Sequence, residues 1–293
     1  MLISNIKDGV KLRRLDFKIE ETGKSVSSFL KSKGFSRTAL TKLKKGDFVF
    51  FNDVAVPLKY YMTNEGTLTV FLAEEASQNV AEEKIPLDIL FEDEHILAVN
   101  KPCGMPTHPS HGHTSGTLAN GVMFHLQGPT FRAANRLDKN TSGIVLIAKN
   151  GAIAGRLKDS AQKEYVAIVH GEISDSGKIC APIKRMGEYR MERIVSPDGD
   201  YAKTLYYPIK SGEKYSLIRL KLLTGRTHQI RVHMSYIGHP LLGDDLYGGK
   251  PALGFSHHAL HCEKMTFIHP ISGEKICLTA SLPEAFKRGA EEI

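Results

Sequence analysis

The segment at residues 134–149, ANRLDKNTSGIVLIAK, constrains the fold more than any other part of the chain. Its second half, at 143–148, is a short run of mostly branched apolar residues, which is typical of a strand buried on both faces. Its first half places hydrogen-bonding side chains at seven of the eight positions 135–142. A surface turn needs only one or two, for example Asp138 and Thr141 accepting from nearby backbone N–H groups. The excess indicates either a solvated polar turn or a site at the mouth of a buried strand.

The residues around Asp138 resemble a known motif. The string RLDxxTSG, at residues 136–143, is similar to the motif of the RluA family of pseudouridine synthases, in which the aspartate is catalytic. The resemblance implies that Asp138 is the catalytic residue and that Arg136 helps to hold a nucleotide that has been flipped out of its stack. The family usually has histidine at the position of Asn135, so this chain departs from the motif there.

Three further segments resemble the same family and follow in its order. They are VNKPCG at 99–104 with a His-Pro pair at 108–109, KEYVAIVHG at 163–171, and GRTHQIRVH at 225–233 followed by GHPLLGDDLY at 238–247. With the C-terminal end, the resemblance covers about residues 85 to 285. It implies that Tyr165 packs against the target base, that Arg231 contacts and orients Asp138, and that Arg226 belongs to the substrate-binding set.

Physical chemistry supports two of these roles. A carboxylate that must stay ionised in a pocket closed over a base needs a cation, and an arginine within about 4 Å contributes about 4 kcal/mol at an effective dielectric constant near 20. A tyrosine stacked on a base contributes on the order of 1–3 kcal/mol, which helps to offset the cost of extruding a nucleotide. Without the resemblance, Arg226 and Arg231 could be surface charges on a helix, and Tyr165 could be a core residue.

The N-terminal region has a charge pattern of its own. Between Thr22 and Gly46 there are seven Lys or Arg residues and no acidic residue. Capping and stop residues predict two short helices there. Ser25 caps the first, which ends at Gly34. Ser36 caps the second, at 37–45, which turns Leu40 and Leu43 inward. The second helix can present an exposed basic stripe that suits a phosphate backbone, formed by Arg37, Lys44 and Lys45.

This pair of helices and the β runs after it resemble the S4 RNA-binding domain over about 60 residues. The resemblance implies that the basic stripe positions RNA rather than reads its sequence; the alternative is a basic helical hairpin with no role in RNA binding. The polar, acidic residues 76–85 predict a linker. The expected organisation is therefore an S4-like domain at 1–75 and a catalytic domain at 86–293. The net charge of +7 suits a polyanionic partner, although it also fits a solvated basic surface.

Cysteine and histidine spacing argues against a metal site. The four cysteines, at 103, 180, 262 and 277, form no CxxC pair. Neither the loop histidines (His108, His111 and His113) nor the later ones (His228, His233, His239, His257, His258 and His261) show the usual ligand spacing. Unpaired cysteines and a start without a signal-peptide core predict a cytoplasmic protein with free thiols. No apolar run approaches the roughly 18 residues that a membrane helix requires.

The expected fold is α+β, with a mixed, largely antiparallel sheet and flanking helices in the catalytic domain and a small basic two-helix and β domain before it. We also expect a helix capped near Thr227 and a closing loop that begins at Leu282. The expected function is isomerisation of uridine to pseudouridine in structured RNA, first ribosomal RNA and second tRNA. Asp138 would act on the ribose as nucleophile or base, without a cofactor. The alternative is a non-catalytic RNA-binding protein on a synthase-like fold, which the departure at Asn135 favours.

Overall fold

The computed structural model describes residues 6–7, 10–35, 37–44, 48–73, 80–110, 112, 114–127, 130–188 and 190–293. Within these residues the chain forms two groups of elements, each around a main hydrophobic core of its own. The first group is β1 (Ile6–Lys7), β2 (Val10–Ile19), β3 (Lys24–Ser25), α1 (Val26–Ser32), α2 (Arg37–Lys44), β4 (Val49–Phe51), β5 (Val54–Ala55), β6 (Tyr61–Met62) and β7 (Gly66–Ala73).

The second group follows residues 80–88, which carry neither helix nor strand. It begins with β8 (Ile89–Glu92), β9 (Ile96–Lys101), α3 (Leu118–Leu126), β10 (Ser142–Ala148), α4 (Ala154–Ser160), β11 (Gln162–His170), β12 (Gly177–Cys180), β13 (Ile183–Arg185) and β14 (Arg193–Val195). It ends with β15 (Lys203–Ser211), β16 (Tyr215–Leu222), α5 (Gln229–Tyr236), a 3₁₀ turn (Asp245–Tyr247), β17 (Leu260–Ile268), β18 (Lys275–Thr279) and α6 (Glu284–Glu292).

The first group is an antiparallel sheet, in the order β1-β2-β7-β4-β5, with the two short helices packed on it. Ser25 caps α1 as predicted, since its side chain accepts a hydrogen bond from the backbone N–H of Ser28 at 3.2 Å. Helix α2 buries Leu40 and Leu43 against the sheet, so its charged residues face outward. The predicted cap Ser36 and the last predicted helical residue, Lys45, lie outside the described residues.

The second group is built on a nine-stranded sheet with the order β12-β15-β16-β11-β17-β10-β9-β8, in which β18 pairs with the far end of β17. Among the described residues the single parallel pair is β10 with β17, and the other neighbours run antiparallel. The predicted α+β fold with a mixed, largely antiparallel sheet is therefore confirmed.

Strand β10 lies at the centre of this sheet and all seven of its residues are buried. A close approach of β17 at its start explains the glycine of the RLDxxTSG motif. A Cβ atom on Gly143 would lie 2.3 Å from the carbonyl oxygen of Cys262, and Gly143 has φ +110°, a value that other residues rarely adopt. Glycine therefore lets β17 pair with β10 directly after the polar turn, so that turn is held against the core.

The connection from β10 to α4 is held by the first group. Arg156 Nη1 donates to the carbonyl of Ser32 at 2.7 Å, and Arg13 Nη1 donates to the carbonyl of Lys149 at 2.8 Å. Ala152 packs into the core of the first group. These contacts fix the N-terminal half of α4. No helix among the described residues is long and apolar enough to cross a membrane.

Two local expectations were correct only in part. The helix near Thr227 is α5, whose N-cap is His228 with φ +56° and without a side-chain capping bond, so backbone geometry rather than a Thr hydroxyl begins the helix. The predicted closing loop is followed by helix α6, which buries Phe286 against Phe255 with ring centroids 5.0 Å apart. Gly289 lowers the helix propensity of this segment, but a Cβ there would lie 2.8 Å from Ile168 Cδ1. Close packing on the sheet therefore overrides local propensity.

Gly143→Ala should lower the free energy of unfolding by about 3 kcal/mol or more, because it adds a clash with β17 to an unfavourable backbone conformation. Gly155→Ala is the matched control. A Cβ on Gly155, in α4, would meet nothing within 4 Å, so this change should stabilise by about 0.5–1 kcal/mol. Urea unfolding of both variants measures the difference. Equal midpoints for the two variants would contradict the proposed strand contact.

Candidate active site

The polar turn at 136–141 is held by the segment at 101–107, which precedes it by about 30 residues. Lys101 is fully buried, and its ammonium group donates to three backbone carbonyls, those of Pro102 (2.9 Å), Met105 (2.7 Å) and Lys139 (3.0 Å). Burial lowers the pKa of Lys101 to about 8. Thr107 Oγ1 donates to the carbonyl of Leu137 at 2.7 Å and accepts from its N–H at 3.3 Å. Two segments that resemble the family are thus hydrogen-bonded to each other.

Asn135, the departure from the family motif, is a buried link between the turn and β10. Its Nδ2 donates to the carbonyl of Ile144 at 3.0 Å, and its Oδ1 accepts from the N–H of Leu146 at 2.8 Å. These two backbone groups lie on the same edge of the strand, and an amide carries a donor and an acceptor on one carbon. Asn135 therefore pairs with the strand as a short backbone segment would.

The threonine and serine of the motif contact histidines that lie on and before β17. Thr141 Oγ1 lies 2.8 Å from His258 Nε2, and Ser142 Oγ lies 2.8 Å from His261 Nδ1. Burial lowers the pKa of each imidazole to about 4, so both rings are neutral at pH 7. His233 on α5 likewise lies 2.8 Å from Thr204 Oγ1. These histidines form hydrogen bonds between elements: two connect the motif to β17 and the residues before it, and His233 connects α5 to β15.

The Asp138 carboxylate is the first of three charged side chains in contact, followed by Arg231 and Asp244. Arg231 Nη1 donates to Asp138 Oδ2 at 3.2 Å. The other edge of this guanidinium binds Asp244 through two bonds, Nε to Oδ2 at 2.7 Å and Nη2 to Oδ1 at 2.6 Å. Burial opposes the charge of Arg231, but Asp244 and Asp138 outweigh it and raise the pKa of Arg231. The Tyr247 ring lies 4.9 Å from the guanidinium carbon, within the range of a cation–π contact.

His228 is a second neighbour of Asp138. Its Nε2 lies 3.7 Å from Asp138 Oδ2, the same oxygen that Arg231 contacts. Its Nδ1 lies 2.7 Å from the hydroxyl of Tyr247. Burial lowers the pKa of His228, which the nearby carboxylate of Asp138 partly opposes. The imidazole is therefore neutral at pH 7.

The side chain of Asp138 lines a cavity of about 590 Å³. All five residues that the sequence assigns to catalysis or substrate binding line it: Asp138, Arg136, Tyr165, Arg226 and Arg231. Tyr165 and Arg231 are buried, whereas Arg136 and Arg226 are exposed. A smaller cavity of about 230 Å³ shares Asp138, His228 and Arg231 with the first, so these three residues separate the two spaces.

The predicted basic stripe lies on the other group of elements. Arg37 and Lys44 are exposed on α2, and Lys45 lies outside the described residues. Within the described part of the chain, no cluster of three or more His, Cys, Asp or Glu side chains is arranged to hold a metal ion. The loop residues His111 and His113 lie outside that part.

Lys101, Asp244 and Tyr247 are among the residues of this site that had no predicted role. The signal was present for Asp244, because an arginine that becomes buried needs more than one acceptor for its five N–H groups. Asp244 and Asp245 are candidates for that second acceptor, because they lie in a segment that resembles the family. No local signal distinguishes Lys101 from a surface lysine.

Comparison with known proteins identifies the family. Residues 95–236 match the sequence profile of the family described as RNA pseudouridylate synthase. An uncharacterized RNA pseudouridine synthase of Bacillus subtilis is 42% identical over 275 residues, which cover 89% of this chain and 96% of that protein. The chain belongs to the RNA pseudouridine synthase family. The resemblance to the RluA family is confirmed, and this synthase is an isomerase that forms pseudouridine in RNA.

Other relatives agree with this assignment. The synthase is 35% identical to ribosomal large subunit pseudouridine synthase D of Xanthomonas campestris, over 87% of this chain and 83% of that protein. Its fold is similar to the solved structure of human RNA pseudouridylate synthase domain containing 1, with 27% identity and a TM-score of 0.56. That match covers 69% of this chain and 85% of the human chain. The comparisons favour the enzyme over the non-catalytic alternative.

Proposed function

We propose that this synthase modifies ribosomal RNA and that Asp138 is its catalytic residue. The observation that carries the proposal is the position of Asp138, whose carboxylate lines the 590 Å³ cavity while a buried arginine holds one of its oxygens. An arginine that binds one oxygen of a carboxylate orients the group and leaves its other oxygen to act on a ribose. The large ribosomal subunit is the proposed source of the RNA, because the relative from Xanthomonas campestris and one from Vibrio vulnificus, 34% identical over 99% of this chain, are named for it.

The reaction needs only one acidic side chain. The carboxylate either bonds to C1′ or removes the proton from C2′, the C1′–N1 bond breaks, and its electron pair leaves with the uracil. The base turns, and a C5–C1′ bond forms as the carboxylate leaves C1′ or returns the proton to C2′. C5 then loses a proton and N1 gains one, so no electrons enter or leave overall. Asp138 fits either route.

Tyr165 is proposed to pack against the base in the cavity. Its side chain is 5% exposed, and burial raises its pKa well above the usual value, so the phenol stays neutral beside Asp138. Arg136, exposed beside the cavity, is proposed to hold the flipped nucleotide. Arg226 donates from Nε to the carbonyl of Tyr201 at 3.1 Å, which fixes its guanidinium at the rim for a phosphate.

The first 75 residues are proposed to be an S4-like RNA-binding domain. Two observations support this: α2 buries Leu40 and Leu43, and its exposed face carries Arg37 and Lys44 seven positions apart. Seven residues are close to two helical turns, so the two cations lie on one stripe. Such a stripe can bind successive phosphates without reading bases. The proposed linker is the segment at 76–85, of which 76–79 lie outside the described residues.

Reversing both charges, Arg37→Glu with Lys44→Glu, should weaken RNA binding and reduce the slope of log affinity against log salt by about 2, since each phosphate contact contributes about one unit. The control reverses two exposed lysines on β18 and α6, Lys275→Glu with Lys287→Glu, and has the same net charge. Filter binding over a range of salt measures the slope. An identical slope for the two double variants would refute the role of the stripe.

Asp138→Asn keeps the shape of the side chain but removes its charge. We expect at least a 100-fold loss of pseudouridine formation in large-subunit ribosomal RNA with RNA affinity nearly unchanged, because the other groups that line the cavity remain. Asp159→Asn is the control, since Asp159 is an exposed carboxylate of α4 that lines the same cavity. Mapping of pseudouridine in RNA incubated with each protein is the measurement. A near-normal rate for Asp138→Asn would exclude Asp138 as the catalytic residue.

A further inference from the structure

The backbone of His228 is in the left-handed region, with φ +56°, at the N-cap of α5. Histidine tolerates this region better than most residues, but glycine and asparagine adopt it at lower cost. The side chain makes no capping hydrogen bond and is 8% exposed. Backbone geometry alone therefore does not explain a histidine at this position.

The hydrogen bonds of Tyr247 favour one tautomer of His228. The backbone N–H of Arg193 donates to the Tyr247 hydroxyl oxygen at 2.9 Å. Burial raises the pKa of Tyr247, so the hydroxyl keeps its proton, and His228 Nδ1 lies 2.7 Å away to accept it. A neutral imidazole whose Nδ1 accepts carries its own proton on Nε2. The Tyr247 hydroxyl on one side and the Asp138 carboxylate, 3.7 Å from Nε2, on the other therefore favour the Nε2–H tautomer of His228.

The Nε2–H group faces the carboxylate of Asp138. His228 Nε2 and Arg231 Nη1 lie 3.7 Å and 3.2 Å from the same atom, Asp138 Oδ2. Neither of these contacts involves Oδ1. Hydrogen bonds of catalytic groups are often long before substrate binds and shorten in the complex. The two donors are thus arranged to fix one oxygen of the carboxylate and to leave the other for chemistry.

We propose that His228 is a positioning residue that donates from Nε2 to Asp138 Oδ2 when RNA is bound, so that Oδ1 is the oxygen that reacts with the ribose. This inference rests on the proposed role of Asp138. His228 itself does not exchange a proton with the substrate. Tyr247 favours the tautomer, His228 and Arg231 set the direction of the carboxylate, and closure of the 3.7 Å gap accompanies RNA binding.

A structural role and a positioning role for His228 predict opposite orders of activity for the His228→Asn and His228→Gln variants. Asn is more favourable than Gln in the left-handed region, by about 1 kcal/mol. However, the Asn amide reaches only to the position of Nδ1, whereas the Gln amide nitrogen reaches the position of Nε2. If His228 only begins α5, His228→Asn should be the more active variant. If His228 donates to Asp138, His228→Gln should be the more active one although it is less stable.

The experiment measures kcat, KM and melting temperature for both variants on large-subunit ribosomal RNA. We expect His228→Gln to keep kcat within about 10-fold of the wild type. We expect His228→Asn to lose on the order of 10-fold to 100-fold in kcat, the range for a hydrogen bond to a charged group, with KM within about 3-fold. Its melting temperature should equal or exceed that of His228→Gln. A kcat for His228→Asn equal to or above that of His228→Gln would overturn the inference.

Tyr247→Phe provides a second test that does not depend on the backbone of α5. It keeps the ring beside Arg231 and removes the hydroxyl that favours the tautomer. We expect a loss of about 10-fold in kcat in the wild-type background but little further loss in the His228→Asn background, because the donor is already absent. Tyr236→Phe, at an exposed position of α5, is the control and should have no effect.

Equal losses from Tyr247→Phe in both backgrounds would show that Tyr247 acts independently of His228 and would overturn the inference. Its failure can be distinguished from failure of the proposed function. A wild-type protein that forms no pseudouridine, or an active Asp138→Asn variant, would refute the proposed function and the inference together. An active wild type with an inactive Asp138→Asn variant and a fully active His228→Asn variant would refute the inference alone.

Discussion

The paired hydrogen bonds between Asp244 and Arg231 are the interaction on which the rest of the site depends. Leaving a guanidinium buried without a partner costs several kcal/mol, and Asp244 is fully buried and binds two of its three nitrogens. This pairing satisfies one edge of the arginine and leaves Nη1 to donate to Asp138. Asp138 therefore meets a donor in a fixed direction rather than a mobile surface cation, and a fixed donor can orient a carboxylate without reorganisation during the reaction.

The residues around Asp138 act mainly to hold the turn in front of that donor. Lys101 donates to the carbonyl of Lys139 in the turn, and Asn135 is hydrogen-bonded to two backbone groups of β10. Gly143 lets β17 approach, which brings the histidines that contact the motif threonine and serine. The motif is thus one contiguous unit, in which the small and polar residues determine where one carboxylate lies. The residues of such a family motif are therefore constrained by packing as well as by chemistry.

Local sequence patterns were enough to predict the elements that depend on local physics. The apolar run of β10, the Ser25 cap of α1 and the inward leucines of α2 were predicted because burial and capping act over a few residues. Helix α6 was missed because Gly289 weakens its local signal while packing on Ile168 supplies the stability. In this region tertiary contacts outweigh helix propensity.

The candidate site also contains residues that the sequence predicted and residues that it did not. The resemblance singled out Asp138, Tyr165 and Arg231, and the structure brings them to one cavity, although their positions span more than 90 residues. It gave no role to Asp244 or to Tyr247. Their contacts arise only when α5 and the 3₁₀ turn after it pack together, and no spacing in the sequence reveals that the Tyr247 hydroxyl lies beside His228 and its ring beside Arg231. Residues that act through another residue are therefore the ones that sequence reasoning misses.

The most direct test of this dependence on the Asp244–Arg231 pair is the turnover number of an Asp244→Asn variant on large-subunit ribosomal RNA. Asp244 lines neither cavity, so the change alters the support of Arg231 without removing a group from either space. We expect kcat to fall by about 10-fold to 100-fold, the effect of weakening one hydrogen bond to a charged group, while RNA affinity and the folded circular dichroism spectrum are retained. A folded Asp244→Asn protein with the kcat of the wild type would contradict the dependence of catalysis on this buried pair.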